Sequence, residues 1–156
     1  MTNPVNIPEL RTLVPHDGQM VLLERVLTVD KENLCAELTI GPDTLFCDGP
    51  GVGSWVGIEY MAQAIAAHAG YQAHLRGEPV KVGFLLGARR YQCSVPLFAL
   101  GTVLHVHIQH AMLGDNGLAA FECRIDDAAD GAVLAHATIT VFEPENVNEF
   151  LQRSFS

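Results

Sequence analysis

Residues 55–67 have the sequence WVGIEYMAQAIAA, an apolar run interrupted by one glutamate and one glutamine. Apolar or small residues occur all round this run, which predicts a helix that the rest of the fold encloses. A Gly and a Pro at residues 77 and 79 supply a stop, so the helix is predicted over residues 55–75, a length of about 30 Å. A carboxylate buried alone costs several kcal/mol, so it must be paired, protonated or functional. Glu59 is therefore the first candidate for a functional group.

The sequence on either side of this helix favours antiparallel strands. Residues 8–14 predict a short helix closed by Pro15, and residues 41–54 predict a loop rich in Gly, Pro and Asp. Residues 115–117 and 130–131 are hairpin-type turns. Strands are predicted at residues 20–29, 34–40, 82–94, 101–113, 117–126 and 132–142. One long helix and a meander of strands predict an α+β fold, with the sheet wrapped around the helix.

Composition limits the class of protein. The 156 residues predict a single domain, residues 1–156. A hydrophobic fraction of 49% and a mean hydropathy of +0.21 favour a buried interface between subunits. The net charge of −9 argues against nucleic-acid binding. No signal peptide or membrane-spanning run is evident, and the four cysteines are widely spaced, so we expect a cytoplasmic protein with free thiols.

Three stretches carry a resemblance to a known family. They are VPH at 14–16 followed by VLLERV at 21–26, GIEYMAQA at 57–64, and ARRYQCSVP at 88–96. In these stretches the chain resembles the hot-dog-fold 3-hydroxyacyl-acyl-carrier-protein (ACP) dehydratases of fatty acid synthesis. It is more similar still to the dehydratase-like proteins of aryl polyene gene clusters, which share a P-H-x-x-x-M-x-L-L pattern. The resemblance covers most of residues 14–142.

The resemblance implies a fold, a reaction and partners. The implied fold is a curved antiparallel sheet around one long central helix, and the implied reaction converts 3-hydroxyacyl-ACP to 2-enoyl-ACP. The implied partner is an ACP that carries a phosphopantetheine-linked acyl group, and no metal or organic cofactor is expected. The implied assembly is a dimer that joins two sheets edge to edge. The chain would form a homodimer or a higher oligomer, or a heterodimer with a related dehydratase.

The site expectations begin with a departure from the family. Its usual loop histidine maps to Leu45, so the base must come from elsewhere, while the helix carboxylate is present as Glu59. His16 is the first replacement base, although a histidine there also occurs beside the usual one in the family, which favours a structural role. Asp48 is the second, and a turn aspartate is its alternative interpretation.

The resemblance also implies substrate contacts. Backbone amides at the helix start, Ser54 and Trp55, would bind the thioester oxygen. Gly51, Gly53 and Gly57 would let an acyl chain approach the backbone closely. Gln63 lies one turn after Glu59 and could orient its carboxylate. The alternative for Ser54 is a helix cap, and for Gln63 a buried polar contact.

Basic and histidine residues complete the candidates. Arg89 and Arg90 could meet phosphopantetheine or the acidic carrier, or could form surface salt bridges. His105 and His107 share a strand face, and an H-x-H pattern can bind zinc, but no third ligand is placed by sequence, so an exposed polar face is favoured.

Two rival functions stay open. An acyl thioesterase on the same fold would use the helix carboxylate to activate water. A non-catalytic subunit would instead pair with an active dehydratase.

Overall fold

The apolar run lies in a helix, α2, which covers Gly57–Leu75 and follows a 3-10 turn at Ser54–Val56. The predicted start at residue 55 was thus two residues early. The computed structural model describes residues 7–14, 18–79, 84–113 and 117–142. A shorter helix, α1, covers Leu10–Leu13 within the predicted 8–14 and buries its first and last leucines.

The predicted helix stop is confirmed. Gly77 adopts a φ of 68°, a left-handed conformation that favours glycine. Its N–H donates to the His74 carbonyl at 3.1 Å, and the Glu78 N–H donates to the Ala73 carbonyl at 2.9 Å. These two bonds form the Schellman motif and satisfy carbonyls that the end of the helix leaves unpaired.

The strands form two antiparallel sheets. In chain order they are β1 Arg25–Val29, β2 Asn33–Thr39, β3 Cys47–Asp48, β4 Gly51–Gly53, β5 Phe84–Cys93, β6 Leu97–Ala99, β7 Val103–Leu113, β8 Leu118–Asp127 and β9 Val133–Phe142. The large sheet has the order β1-β2-β7-β8-β9-β5, and the small sheet has the order β3-β4-β6. The α+β prediction is therefore confirmed, and β1 and β5 are the outer strands of the large sheet.

The core lies between α2 and one face of the large sheet. Side chains that alternate along the central strands are at most 2% exposed: Leu34, Ala36, Leu38, Leu104, Val106, Ile108, Ile125 and Ile139. From the helix, Tyr60, Met61, Ala64 and Ala67 are fully buried against them. The sheet covers the helix from one side, and the opposite side is only partly covered, since Ile58, Ala62 and Ala66 are half-buried.

A buried histidine ties the helix to the β1–β2 turn. His68 is 6% exposed, and its Nε2 lies 3.1 Å and 3.0 Å from the carbonyl oxygens of Asp30 and Lys31. Because carbonyls only accept, this nitrogen carries a proton and donates. Burial lowers the pKa of His68, and the neighbouring charge of His110 acts in the same direction, whereas the Asp30 carboxylate opposes it.

One predicted strand begins later than expected. Residues 20–24 are not strand, because Gly18–Met20 form a 3-10 turn and backbone bonding to β2 begins only at Glu24, whose N–H donates to the Glu37 carbonyl at 2.9 Å. The Leu22 N–H donates to a side chain of α2 instead of to a neighbouring strand. The sequence of this apolar run predicts a strand, but its backbone bonds to a side chain of the helix instead.

The loop predicted at 41–54 contains two short strands of the small sheet. β3 and β4 are only two and three residues long, and two of the three residues of β4 are glycine, so no periodic signal marks them. The turn at 130–131 is confirmed, with Gly131 at a φ of 75°. The turn at 115–117 lies largely outside the described residues.

The structure also bears on the cysteines and on membrane-spanning helices. All four cysteines are free thiols. Within the described residues, no helix combines the length and apolarity required to traverse a membrane.

Candidate active site

Glu59 lies in the first turn of α2 with a half-buried side chain. Gln63 follows one turn later and is fully buried, and its Nε2 donates to Glu59 Oε1 at 3.3 Å. The spacing of four residues predicts this shared face. A fixed donor on one carboxylate oxygen restricts the rotation of the group.

The same amide holds the segment that precedes β1. Gln63 Oε1 accepts from the Leu22 N–H at 2.8 Å, and its Nε2 donates to the Met20 carbonyl at 2.6 Å. These contacts place the backbone at Met20 beside the first turns of α2. His16 lies outside the described residues. It stands four residues before Met20 in the sequence.

The start of the helix is crowded by an exposed aromatic pair. Trp55 is 67% exposed, and its ring lies 5.7 Å from that of Phe46, measured between centroids. A Cβ at Gly53 would lie 2.5 Å from the Trp55 Nε1, so a side chain there would collide with the indole. The Ser54 N–H donates to the Pro96 carbonyl at 3.1 Å. Of the two amides predicted to hold a thioester oxygen, the one at Ser54 therefore already has a protein acceptor.

Two further glycines in this region serve packing. A Cβ at Gly51 would lie 2.2 Å from the Phe98 carbonyl oxygen, and one at Gly57 would lie 2.3 Å from the Tyr91 hydroxyl. The protein itself fills the space in front of both. Their small size lets β6 approach β4 and lets a tyrosine approach the helix start, rather than opening these positions to an acyl chain.

Two tyrosines at this site were missed by the sequence reasoning. Tyr91, from β5, donates its hydroxyl to the Ser54 carbonyl. Tyr60 follows Glu59 and is fully buried, and its hydroxyl has no hydrogen-bond partner among the residues that the structure describes. Burial raises the pKa of both phenols, so both stay neutral. Both lie in the stretches that carry the family resemblance, but sequence does not show which way they point.

The loop that usually carries the histidine has no base at the corresponding position. Leu45 is half-buried and packs against the core. Asp48 is exposed in β3, where it pairs with Gly51 of β4. Its role as a base stays a prediction.

Arg90 stands at an irregularity of the outer strand β5. Its φ of 57° is unusual for a residue with a side chain, and the pairing of β5 with β9 shifts between Arg89 and Gln92. Such a bulge redirects side chains. Arg90 is exposed. The side chain of Arg89 lies outside the described part of the structure, and its backbone pairs with Thr138.

Comparisons with solved structures define the class. The chain is similar to one in the dehydratase heterocomplex ApeI:P from Xenorhabdus doucetiae, with 30% identity, a TM-score of 0.86, and coverage of 97% of this chain and 100% of that one. It also resembles zebra fish thioesterase superfamily member 2, with 12% identity, a TM-score of 0.65, and coverage of 86% and 91%. E. coli PaaI, from the phenylacetic acid degradation operon, has 13% identity and a TM-score of 0.60, with coverage of 75% and 80%. The fold is that of the hot-dog thioesterases and dehydratases.

The sequence profile gives the family. The profile described as ApeP-like, ApeP dehydratase, matches residues 8–152, and the chain belongs to that family. A search of curated proteins found no match. The predicted resemblance to hot-dog dehydratases of the aryl polyene type is therefore confirmed.

Proposed function

We propose that this chain itself contributes catalytic groups to the dehydration of 3-hydroxyacyl-ACP thioesters in aryl polyene biosynthesis. The observation that carries this is the Gln63 amide. It holds the Glu59 carboxylate and, through Met20 and Leu22, the segment that follows His16. One fully buried side chain thus contacts both the Glu59 carboxylate and the backbone of the segment from Met20 to Leu22.

The reaction assigns one role to each group. His16 takes the C2 proton, and Glu59 in its protonated form gives a proton to the hydroxyl on C3, which leaves as water. The electron pair of the C2–H bond becomes the C2–C3 double bond. The Trp55 amide is the donor for the thioester oxygen as enolate charge develops on it.

Variants of the two groups test the assignment. Glu59→Gln and His16→Ala should each lower enoyl formation from a 3-hydroxyacyl-ACP by about 10²- to 10⁴-fold, the range of general acid–base catalysis. Glu78→Gln and His74→Ala are matched controls, because both side chains are exposed at the far end of α2. The assay measures the enoyl product by mass spectrometry and free thiol in parallel. Hydrolysis without enoyl product would identify a thioesterase instead.

The second candidate, a non-catalytic subunit, has its own support. Leu45 occupies the position of the usual histidine, and the similar X. doucetiae chain comes from a heterocomplex. If the four variants all dehydrate at the wild-type rate in the assembled complex, the catalytic proposal is wrong and this function replaces it.

We also propose that the outer edge of β5 pairs with a related dehydratase subunit. β5 has ten residues and ends the large sheet, and strand edges with unpaired backbone groups readily add another strand. Tyr91 on this strand reaches the helix start, so a partner there would sit next to the candidate site. The Ser94 N–H donates toward β9, to the Leu134 carbonyl, so alternation turns the Cys93 N–H to the outer edge. Cys93→Pro, which removes that outward donor, should weaken the complex in sedimentation velocity. The same change at the shorter outer strand β1, Thr28→Pro, should leave assembly intact.

Carrier binding is the remaining proposal, and its candidate contact is Arg90. Because the chain has a net charge of −9, an acidic carrier is repelled unless a local positive group meets it. Arg90→Glu should raise KM for the ACP-linked substrate while leaving kcat near its wild-type value. Arg76→Glu, at the end of α2, is the control for a distant change of charge.

A further inference from the structure

A histidine pair lies on the face of the large sheet that points away from α2. His105 and His107 stand two residues apart on β7, and β2 runs antiparallel beside them. In this register Cys35 is opposite His107, and Glu37 is opposite His105. Alternation along β2 places Cys35 on this outer face, while Leu34 and Ala36 face the core. The pairing of β2 with β7 thus supplies the third ligand that the H-x-H pattern lacked.

The three side chains are close enough to share one ion. One donor atom from each of Cys35, His105 and His107 lies within 4.8 Å of the other two, and Cys35 Sγ is 3.9 Å from His107 Nε2. In a tetrahedral zinc site, bonds of about 2.0 Å to nitrogen and 2.3 Å to sulfur put the donors roughly 3.3–3.7 Å apart. The donor atoms must move by about 1 Å to reach this spacing. Side-chain rotations supply that movement, while the hydrogen-bonded strands keep the backbone fixed.

Carboxylates contact the two imidazoles. Glu37 Oε2 lies 2.9 Å from His105 Nε2, and Asp126 Oδ2 lies 3.2 Å from His107 Nε2. A carboxylate orients a ligating imidazole through the ring nitrogen that does not bind the metal. These contacts use Nε2, which in His107 is also the nitrogen near Cys35, so a metal bound there takes the place of the Asp126 contact. Arg124 Nε also lies 3.0 Å from both oxygens of Asp126, so this carboxylate keeps a partner when His107 turns to a metal.

We propose that Cys35, His105 and His107 bind a zinc-class divalent cation. Cys35 and His107 also line a groove of about 360 Å³, which leaves room for water or a small anion to complete the coordination. The cation replaces the thiol proton, which leaves to solvent, and coordination keeps the sulfur as thiolate. The alternative is that hydrogen bonds alone, with no metal ion, hold these side chains together.

Metal titration separates these accounts. The protein, purified without a polyhistidine tag and freed of metal, is titrated with Zn²⁺ by calorimetry and with Co²⁺ by absorbance. We expect one saturable site per chain and a thiolate-to-cobalt charge-transfer band. Cys35→Ser should abolish that band, and Cys35→Ser and His107→Gln should each weaken Zn²⁺ binding by at least about 100-fold. Cys93→Ser and His74→Gln are the matched controls and should bind as the wild type does.

Either of two results overturns the proposal. The first is the absence of saturable binding by the wild-type protein. The second is an unchanged Zn²⁺ affinity in both cluster variants. Because Cys35 is buried, its variant is checked by circular dichroism. His107 is only half-buried, so its variant decides the question if the first does not fold.

Discussion

Replacing Gln63 with leucine should destabilise the protein far more than the loss of an ordinary polar side chain. The wild-type side chain is 0% exposed and has three partners, from Met20, Leu22 and Glu59. Leucine fills a similar volume, so the loss of hydrogen bonds dominates over any cavity.

The magnitude follows from the partners left behind. The Leu22 N–H is buried and loses its acceptor, which costs about 1–3 kcal/mol. The Met20 carbonyl belongs to a residue that is 50% exposed and can turn to water, so it adds only about 0.5–1 kcal/mol. The hydrogen bond to half-buried Glu59 contributes less to stability than either of these. We therefore expect Gln63→Leu to lower the free energy of unfolding by about 2–4 kcal/mol.

Urea unfolding measures this difference, with Gln72→Leu as the control. Gln72 lies near the end of α2, where its side chain makes one exposed contact of 3.3 Å with the Asp30 carbonyl, so its change should cost under about 1 kcal/mol. A loss below about 0.5 kcal/mol for Gln63→Leu, or equal losses for both variants, would contradict the role of Gln63 as the link between the helix and the Met20–Leu22 segment.

Three further changes have definite expected results. Burial holds the pKa of His68 below its unfolded value, so protonation opposes folding, and stability is lost as pH falls below about 6.5. The Tm of the wild type should therefore drop more steeply between about pH 7 and pH 5 than that of His68→Gln, and parallel curves would refute this. Gly70→Ala should lower stability by about 1–3 kcal/mol in urea unfolding, because a Cβ there would lie 1.9 Å from the Leu13 carbonyl oxygen, whereas Gly87→Ala, which has open space, should not. Tyr60→Phe should leave the unfolding free energy unchanged or raise it by up to about 1 kcal/mol, since the buried hydroxyl has no partner among the described residues; a larger loss in urea unfolding would reveal a bond to some other group.

Local patterns predicted most elements because each depends on side chains a few residues apart. The apolar run around Glu59 and the glycine at 77 predicted the helix and its end. Alternation of residue types at 34–40 predicted the strand β2.

The same patterns failed where a distant residue decides the backbone. The apolar residues after Met20 suggested a strand, but the Leu22 N–H binds Gln63, 41 residues further along the chain. Glycines 51 and 57 suggested access for an acyl chain, yet Phe98 and Tyr91 fill the space beside them. Neither partner is marked in the local sequence.

The sequence by itself determined the helix, the alternating faces of the central strands and the family, because periodicity and motifs are properties of neighbouring residues. Only the tertiary structure decided which groups from separate strands meet. The register of β2 against β7 put Cys35 beside His107, and a shift of one residue would have turned that thiol to the opposite face.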